Sequence, residues 1–272
     1  MMNTFSKTSS GSAYGRVESV SPIGSGPIME LAPGIVCEAQ VGAHNEAVNL
    51  FTAIVTFQPG RSLPMHVHPH SESITLLKGE AIVEVENRRY RLQQFDNITV
   101  PQNIPHKVVN GSGAEQSIFH IAMPVSVPLR DVKNEAYAQY ISVADDVNGK
   151  SGKEYVTRFN LASRYNAGSG TAFIDYFNEE MLAGVGMSGG VGIFYKDGRL
   201  PAHFHAFDES ICIVSGEAVC ITQRSKYHLS NFSTALQPNG LPHYFINPYQ
   251  KEMYMIWVYA GAMPVRTEVD DF

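Results

Sequence analysis

The chain repeats itself at a fixed distance. His66, His68, Glu72, Gly79 and His106 return as His203, His205, Glu209, Gly216 and His243, each 137 positions later. Over the 45 positions from His66 to Asn110, 15 residues are identical at this offset, against roughly 1 in 16 expected by chance from average usage. The offset also pairs Gly34-Ile35-Val36 with Thr171-Ala172-Phe173. Downstream, Ala122-Met123-Pro124 returns as Ala262-Met263-Pro264 after a three-residue insertion. One folding unit is therefore built twice, and every other reading has to respect that duplication.

Within each unit, short apolar runs alternate with Gly, Pro and Asn. Examples are Leu50–Phe57, Ser73–Leu77, Ala81–Glu86, Asn97–Val100 and Ser117–Ala122, then Val191–Tyr195, Ser210–Val214, Ala218–Thr222 and Glu252–Tyr259. Turns every ten residues or so are the signature of an all-β sandwich or barrel. Residues 1–30 read as a flexible arm rich in Ser, Gly and Thr, 31–146 as the first barrel and 147–272 as the second. Between them, Ala136, Tyr137, Tyr140, Ile141 and Val143 have roughly helical spacing and predict a short helix within 130–146. Lys150–Lys153 reads as the linker, and the basic group Arg88-Arg89 with Arg91 as a solvated turn.

The repeated residues carry chemistry. On an extended strand His66 and His68 share a face, and Glu72 keeps even spacing from both. Inward positions of a closed barrel converge on the lumen, where His106 can join them. Three imidazoles and a carboxylate fill four positions of an octahedron and leave two for water, dioxygen or a bidentate substrate. That openness belongs to a catalytic metal site. Imidazole with carboxylate suits a divalent transition metal, whether iron, manganese, nickel, copper or zinc, one ion per unit. The metal ligands are thus His66, His68, Glu72 and His106, and again His203, His205, Glu209 and His243.

These residues resemble the cupin family. Gly60, His66, His68, Glu72 and Gly79 match its first motif, G(X)5HXH(X)3E(X)6G. Pro101, His106 and Asn110, with Pro238, Gly240, His243 and Asn247, match the second, G(X)5PXG(X)2H(X)3N. Phe95, Phe232, Asn103 and Asp197 stand where those motifs place Gly, which bears on loop shape rather than on the ligands. The resemblance implies a bicupin, two jelly-roll β-barrels in tandem. It also implies an oxidoreductase of dioxygenase type acting on a small enol, phenolic or keto-acid substrate. The alternatives are a non-redox decarboxylase, isomerase or lyase, or a cupin that binds a small ligand without turnover.

His70 and His120 are the candidate catalytic acid–base residues. His70 follows the ligand His68 by two positions, and His120 aligns with Trp257 in a final strand and is placed in the first pocket. Together they favour chemistry in the first unit, with an aromatic second pocket walled by Phe204, Phe207, Tyr244 and Phe245. His44 and His228 have no partner spacing and read as surface residues. A net charge of −6 gives no reason to expect nucleic acid or an anionic membrane as partner. No signal peptide or membrane-length apolar run is present, so the expected partner is a small-molecule substrate, with a homo-oligomer compatible. Three cysteines without CxxC spacing read as buried reduced thiols of a cytoplasmic protein.

Overall fold

A computed structural model describes residues 15–133, 137 and 139–272. The fold is all-β, and each half closes two sheets around a lumen. The larger sheet of the first barrel has Glu72–Lys78 at its centre, between Asn97–Val100 and Ser117–Met123, and continues outward through Phe51–Phe57, Ile35–Val41 and Ile28–Ala32. The smaller sheet carries His66–Val67, His106–Asn110, Ala81–Val85 and Arg88–Leu92. The second barrel repeats this plan. Glu209–Ser215 lies between Thr234–Gln237 and Met253–Tyr259 in one sheet, and His203–Phe204 pairs with His243–Ile246 in the other.

Alternation along the strands creates three apolar layers. Phe57, Ile74, Val83, Phe119 and Ile121 fill the first lumen, and Phe173, Ile211, Phe245 and Met255 fill the second. The opposite faces of the two larger sheets pack against each other through Ile54, Leu77 and Ala122 on one side and Ile174, Tyr176, Ile256 and Val258 on the other. A central strand such as Phe51–Phe57 is covered on both faces, so it reads as a continuous apolar run rather than an alternation. The glycine-rich stretch Gly184–Gly190 runs into the central strand Ser188–Phe194. A side chain at Gly192 would overlap the Phe173 ring, which uses that space inside the lumen. The positions where Phe95, Phe232, Asn103 and Asp197 replace the motif glycines keep the left-handed backbone, with φ of 67, 64, 61 and 60°. The loop shape survives without Gly because surrounding contacts hold it. Phe95, for example, stacks on Tyr254 at 5.3 Å.

The barrels exchange edge strands. Ser19–Ser21, which precedes the first barrel, pairs with Thr234–Gln237 of the second. Glu154–Thr157, which precedes the second, pairs with Asn97–Val100 of the first. The same pair of side chains anchors each exchange. Tyr227 donates to Glu18 at 2.6 Å, and Tyr90 donates to the buried Glu154. From Ser19 the expected arm is thus an edge strand, while residues 1–14 lie outside the described residues. Lys150–Lys153 is the turn of a hairpin in the first barrel's sheet rather than a free linker. The helix expected within 130–146 does not form among the described residues. Asp131–Val132 and Ile141–Ser142 pair with opposite edges of the smaller sheet instead, and Ala136 lies outside the described residues. Unpaired sheet edges outcompeted a weak helical propensity there. The basic group is likewise a strand rather than a turn: Arg88 binds Glu154 and Glu86, and Arg89 binds Glu84.

His120 sits on the face between the barrels, in register with Ile54 and Thr75, and not in the first pocket. Ser117 and Met253 occupy equivalent places opposite Phe57 and Phe194, an offset of 136 rather than 137. One residue has been lost in the preceding turn, and a slip of one residue moves a strand's side chains to the other face. The structural counterpart of Trp257 is therefore Ile121. Burial pushes the His120 imidazole down to about 3, and its Nε2 has no hydrogen-bond partner. An unfolded histidine titrates near 6.5, so between about 3 and 6.5 the unfolded chain binds the extra proton and stability falls with pH. Wild type should lose about 2 kcal/mol between pH 7 and pH 5 relative to His120→Gln, roughly 1.4 per pH unit below 6.5. Urea unfolding of both proteins at the two pH values checks this, and a pH-independent difference would refute it.

Candidate metal centres

Each barrel gathers its four repeated residues into one buried cluster. The clusters are His66, His68, Glu72 and His106, and His203, His205, Glu209 and His243, with the ligand atoms of each set within 4.8 Å of one another. His66 pairs directly with His106 across the smaller sheet, as His203 does with His243. The carboxylate comes from the opposite sheet, at the start of Glu72–Lys78 and of Glu209–Ser215.

Backbone carbonyls orient the rings. The Nδ1 atoms of His66, His68 and His106 lie 2.8, 2.5 and 2.9 Å from the carbonyls of Pro64, Leu129 and Ile104. Those of His203, His205 and His243 lie 2.7, 2.9 and 2.9 Å from Pro201, Val265 and Leu241. A carbonyl can only accept, so each Nδ1 carries hydrogen, and a neutral ring then turns its Nε2 lone pair toward the cluster. Yet His106 Nε2 lies 2.7 Å from a Glu72 oxygen and His243 Nε2 lies 2.8 Å from Glu209. The Nε2 atoms of His68 and His205 are buried with no hydrogen-bond partner. Lone pairs converging on a carboxylate need a cation among them, and ligand atoms bonded at about 2.0–2.2 Å to one ion lie roughly 3 to 4.4 Å apart. The residues fit a metal ion.

Electrostatics favour the ligating protonation state at His66, His203, Glu72 and Glu209. At His68, by contrast, burial is outweighed by the Glu72 carboxylate, which raises the imidazole above its ordinary value. Burial, helped by His106, pushes His66 down to about 3, and burial with His243 does the same to His203. Burial disfavours charge on Glu72 and Glu209, but the neighbouring imidazoles outweigh it and hold both below the usual carboxylate range.

Each cluster opens on a cavity. The first, about 270 Å³, is walled by Met29, Leu31, Cys37, Phe51, Ile121 and Met123 around His66, His68 and Glu72, with Arg130 also lining it. The second, about 380 Å³, contains Glu209, Tyr165, Asp175, Trp257, Tyr259 and Arg266. Arg130 and Arg266 occupy equivalent places, each directly after the residue whose carbonyl orients the second ligand histidine.

The Cupin domain profile matches residues 53–121 and again 191–259. The chain belongs to the cupin family. Solved structures agree on the fold of this bicupin. Oxalate decarboxylase from Bacillus subtilis superposes with a TM-score of 0.71 at 12% identity, over 92% of this chain and 78% of that one. The formate complex of Lactobacillus farciminis oxalate decarboxylase gives 0.70 at 12%, over 92% and 88%. AerE from Microcystis aeruginosa gives 0.62 at 14%, over 86% and 95%. No curated protein matches the bicupin in sequence. Among the described residues no helix is long and apolar enough to cross a membrane.

The two candidate acid–base histidines are not brought to a cavity of the bicupin. His70 stacks on His68 at 5.1 Å, its Nε2 accepts from Leu129 N–H at 3.3 Å and its Nδ1 lies 3.3 Å from the Ser71 carbonyl. Phe207 stacks on His205 in the same way at 5.4 Å, so this position supports a ligand ring in both barrels. Both ring nitrogens face backbone groups, and His70 lines neither of the cavities beside the clusters. His120 faces the other barrel. The grounds for placing chemistry in the first barrel fall with them. The second pocket is aromatic as expected, but its wall is Trp257 and Tyr259, while Phe245 belongs to the lumen core. Sequence reasoning missed Arg130, Arg266, Tyr165, Asp175 and Tyr259. An offset of 136, applied after the lost turn residue, pairs the two arginines and would have found them. It also replaces the expected three-residue insertion, since Met123 matches Tyr259 rather than Met263. On the first long strand, Ile35 likewise matches Thr171 rather than Ala172.

Proposed function

We propose that this bicupin is a metal-dependent enzyme acting on a small carboxylate substrate, such as a keto acid, by non-redox chemistry of the decarboxylase, lyase or isomerase kind. The observation that carries the reading is the arginine in each cavity, Arg130 and Arg266, beside an open three-histidine, one-glutamate cluster. A planar guanidinium matches a carboxylate in two parallel hydrogen bonds. The held cation would supply Lewis-acid polarisation of a carboxylate or carbonyl oxygen. Arg266, tied to the Ala167 carbonyl at 2.8 Å and to Glu268 at 3.0 Å, would fix the orientation of the substrate. Trp257 and Tyr259 would exclude water from one side. Support also comes from the oxalate decarboxylases of like fold, the Bacillus subtilis enzyme having Mn(II) centres, and nitrogen and oxygen donors suit manganese as well as iron.

The dioxygenase reading uses the same cluster, and with an enol or phenolic substrate that lacks a carboxylate it gives the arginines no task. Manganese- and iron-loaded protein should be incubated with small keto acids and dicarboxylates while oxygen uptake and carboxylate loss are followed together. Carboxylate consumption without matching oxygen uptake is expected, with KM raised about 10- to 100-fold in Arg266→Ala, the loss of roughly 1.5–3 kcal/mol of charged hydrogen bonding. Oxygen uptake equal to substrate loss would establish the dioxygenase instead.

A further inference from the structure

The two cavities keep identical ligands but differ where proton transfer is concerned. Asp175 lies opposite Gly190 and Ala39 opposite Ala53, just before the same strand irregularity in each barrel. Asp175 is thus the counterpart of Ala39. Tyr165 bridges to Phe173 as Met29 pairs with Cys37, so Tyr165 is the counterpart of Met29. The first barrel has Ala39 and Met29 at these places, whose side chains exchange no protons. The second carries a carboxyl and a phenol joined by a hydrogen bond of 2.7 Å from Tyr165 Oη to Asp175 Oδ1.

We propose that Asp175, oriented by Tyr165, is the proton-transfer residue of the second barrel, which makes that barrel the reaction centre. The proposal rests on the carboxylate-substrate reading above. Asp175 alternates with Phe173 along Thr171–Phe177 and so faces the lumen, where it shares one cavity with Glu209 and Arg266. A carboxylate held by Arg266 would bring the carbon beside its carbonyl toward Asp175. Behind the Tyr165–Asp175 pair lies a second cavity of about 310 Å³, lined by Asn148, Thr157 and Ser163 as well as the pair itself. The pair lines both cavities, and Tyr165 is itself exposed at the surface, in contact with solvent. Burial, with Glu180 nearby, raises the Asp175 carboxyl above its ordinary range despite the hydrogen bonds from Tyr165 and Asn178. A carboxyl moved toward neutrality is better suited to taking up and returning a proton.

The elementary step with a 2-oxo acid is enolisation. The C3–H bond breaks, its electron pair moves into the C2–C3 bond, the carbonyl oxygen takes the negative charge, and the proton goes to an Asp175 oxygen. The reverse step in heavy water returns a deuteron. Pyruvate and 2-oxobutyrate, incubated in deuterium oxide with metal-loaded protein, should therefore lose C3 proton signal by NMR faster than with metal-free protein. Asp175→Asn and Asp175→Ala should slow this exchange at least 100-fold, Tyr165→Phe about 10-fold, and Asp175→Glu should retain a measurable part of it. Calorimetry with 2-oxobutyrate should show affinity preserved within about threefold in Asp175→Asn and weakened more than tenfold in Arg266→Ala. Wild-type exchange that survives in a folded Asp175→Asn protein, or binding without any exchange in wild type, overturns the Asp175 assignment alone. Exchange that depends on Asp175 while binding ignores Arg266 overturns the carboxylate anchor alone. Neither binding nor exchange overturns both.

Discussion

His106→Ala and His243→Ala should each remove one of two bound metal equivalents, and together they should leave none. Both clusters are complete and buried, and in both the last histidine lies closest to the carboxylate, at 2.7 and 2.8 Å. Loss of even an outer partner of a ligand costs about 10- to 100-fold in affinity, so loss of a ligand should exceed 100-fold, close to 3 kcal/mol. The truncated barrel also keeps a buried glutamate that has lost both its closest side-chain partner and the ion, which costs about 3–5 kcal/mol when nothing replaces them. Metal analysis after dialysis against a weak chelator, with thermal unfolding of the same samples, checks both effects. Metal removal by a strong chelator should lower the wild-type melting temperature, because an ion bound only by the folded state at 100 times its Kd contributes about 2.7 kcal/mol. A wild type holding a single equivalent that only one variant abolishes would show that one barrel keeps its ligands without using them.

Asp208→Ala should be the most damaging change outside the clusters. The Asp208 side chain is almost fully buried and immediately precedes the ligand Glu209. Its carboxylate accepts two bonds from Arg16, at 2.7 and 2.5 Å, one from Val48 N–H at 2.8 Å and one from Asn239 N–H at 3.0 Å. Those donors belong to the N-terminal segment, the first barrel and the second barrel. One carboxylate therefore ties three parts of the molecule at the edge of the second metal cluster. Removing it leaves two backbone donors without their acceptor and Arg16 without its partner. We expect a loss of about 3–5 kcal/mol, with a smaller loss in Arg16→Ala because that guanidinium is partly in water. The second metal equivalent should be released more readily while the first stays. An unfolding free energy from guanidinium chloride titration within about 1 kcal/mol of wild type, or equal loss from both sites, would sink this account. The first barrel has Ser71 at the equivalent place, which carries no carboxylate to make such a tie.

The duplication and both ligand sets were legible in the sequence because they are one-dimensional facts. Spacing on a strand fixes which side chains share a face, and a pattern repeated at constant offset leaves little room for chance. The strands were legible for the same reason, since short apolar runs between turn residues have few other uses. Tertiary structure decided what depended on partners far away in the chain. Ser19–Ser21 and Glu154–Thr157 carry no mark saying which barrel they will join. Each pairs with the more distant one because an open sheet edge there accepts its backbone. His120 and Trp257 align in sequence yet point into different layers, since one residue lost from a turn reverses every side chain of the strand that follows. Arg130, Arg266 and Asp175 stood in the sequence as ordinary charged residues. Only closure of the barrels set them beside the clusters, where burial and a confined cavity turn scattered charges into a candidate binding site.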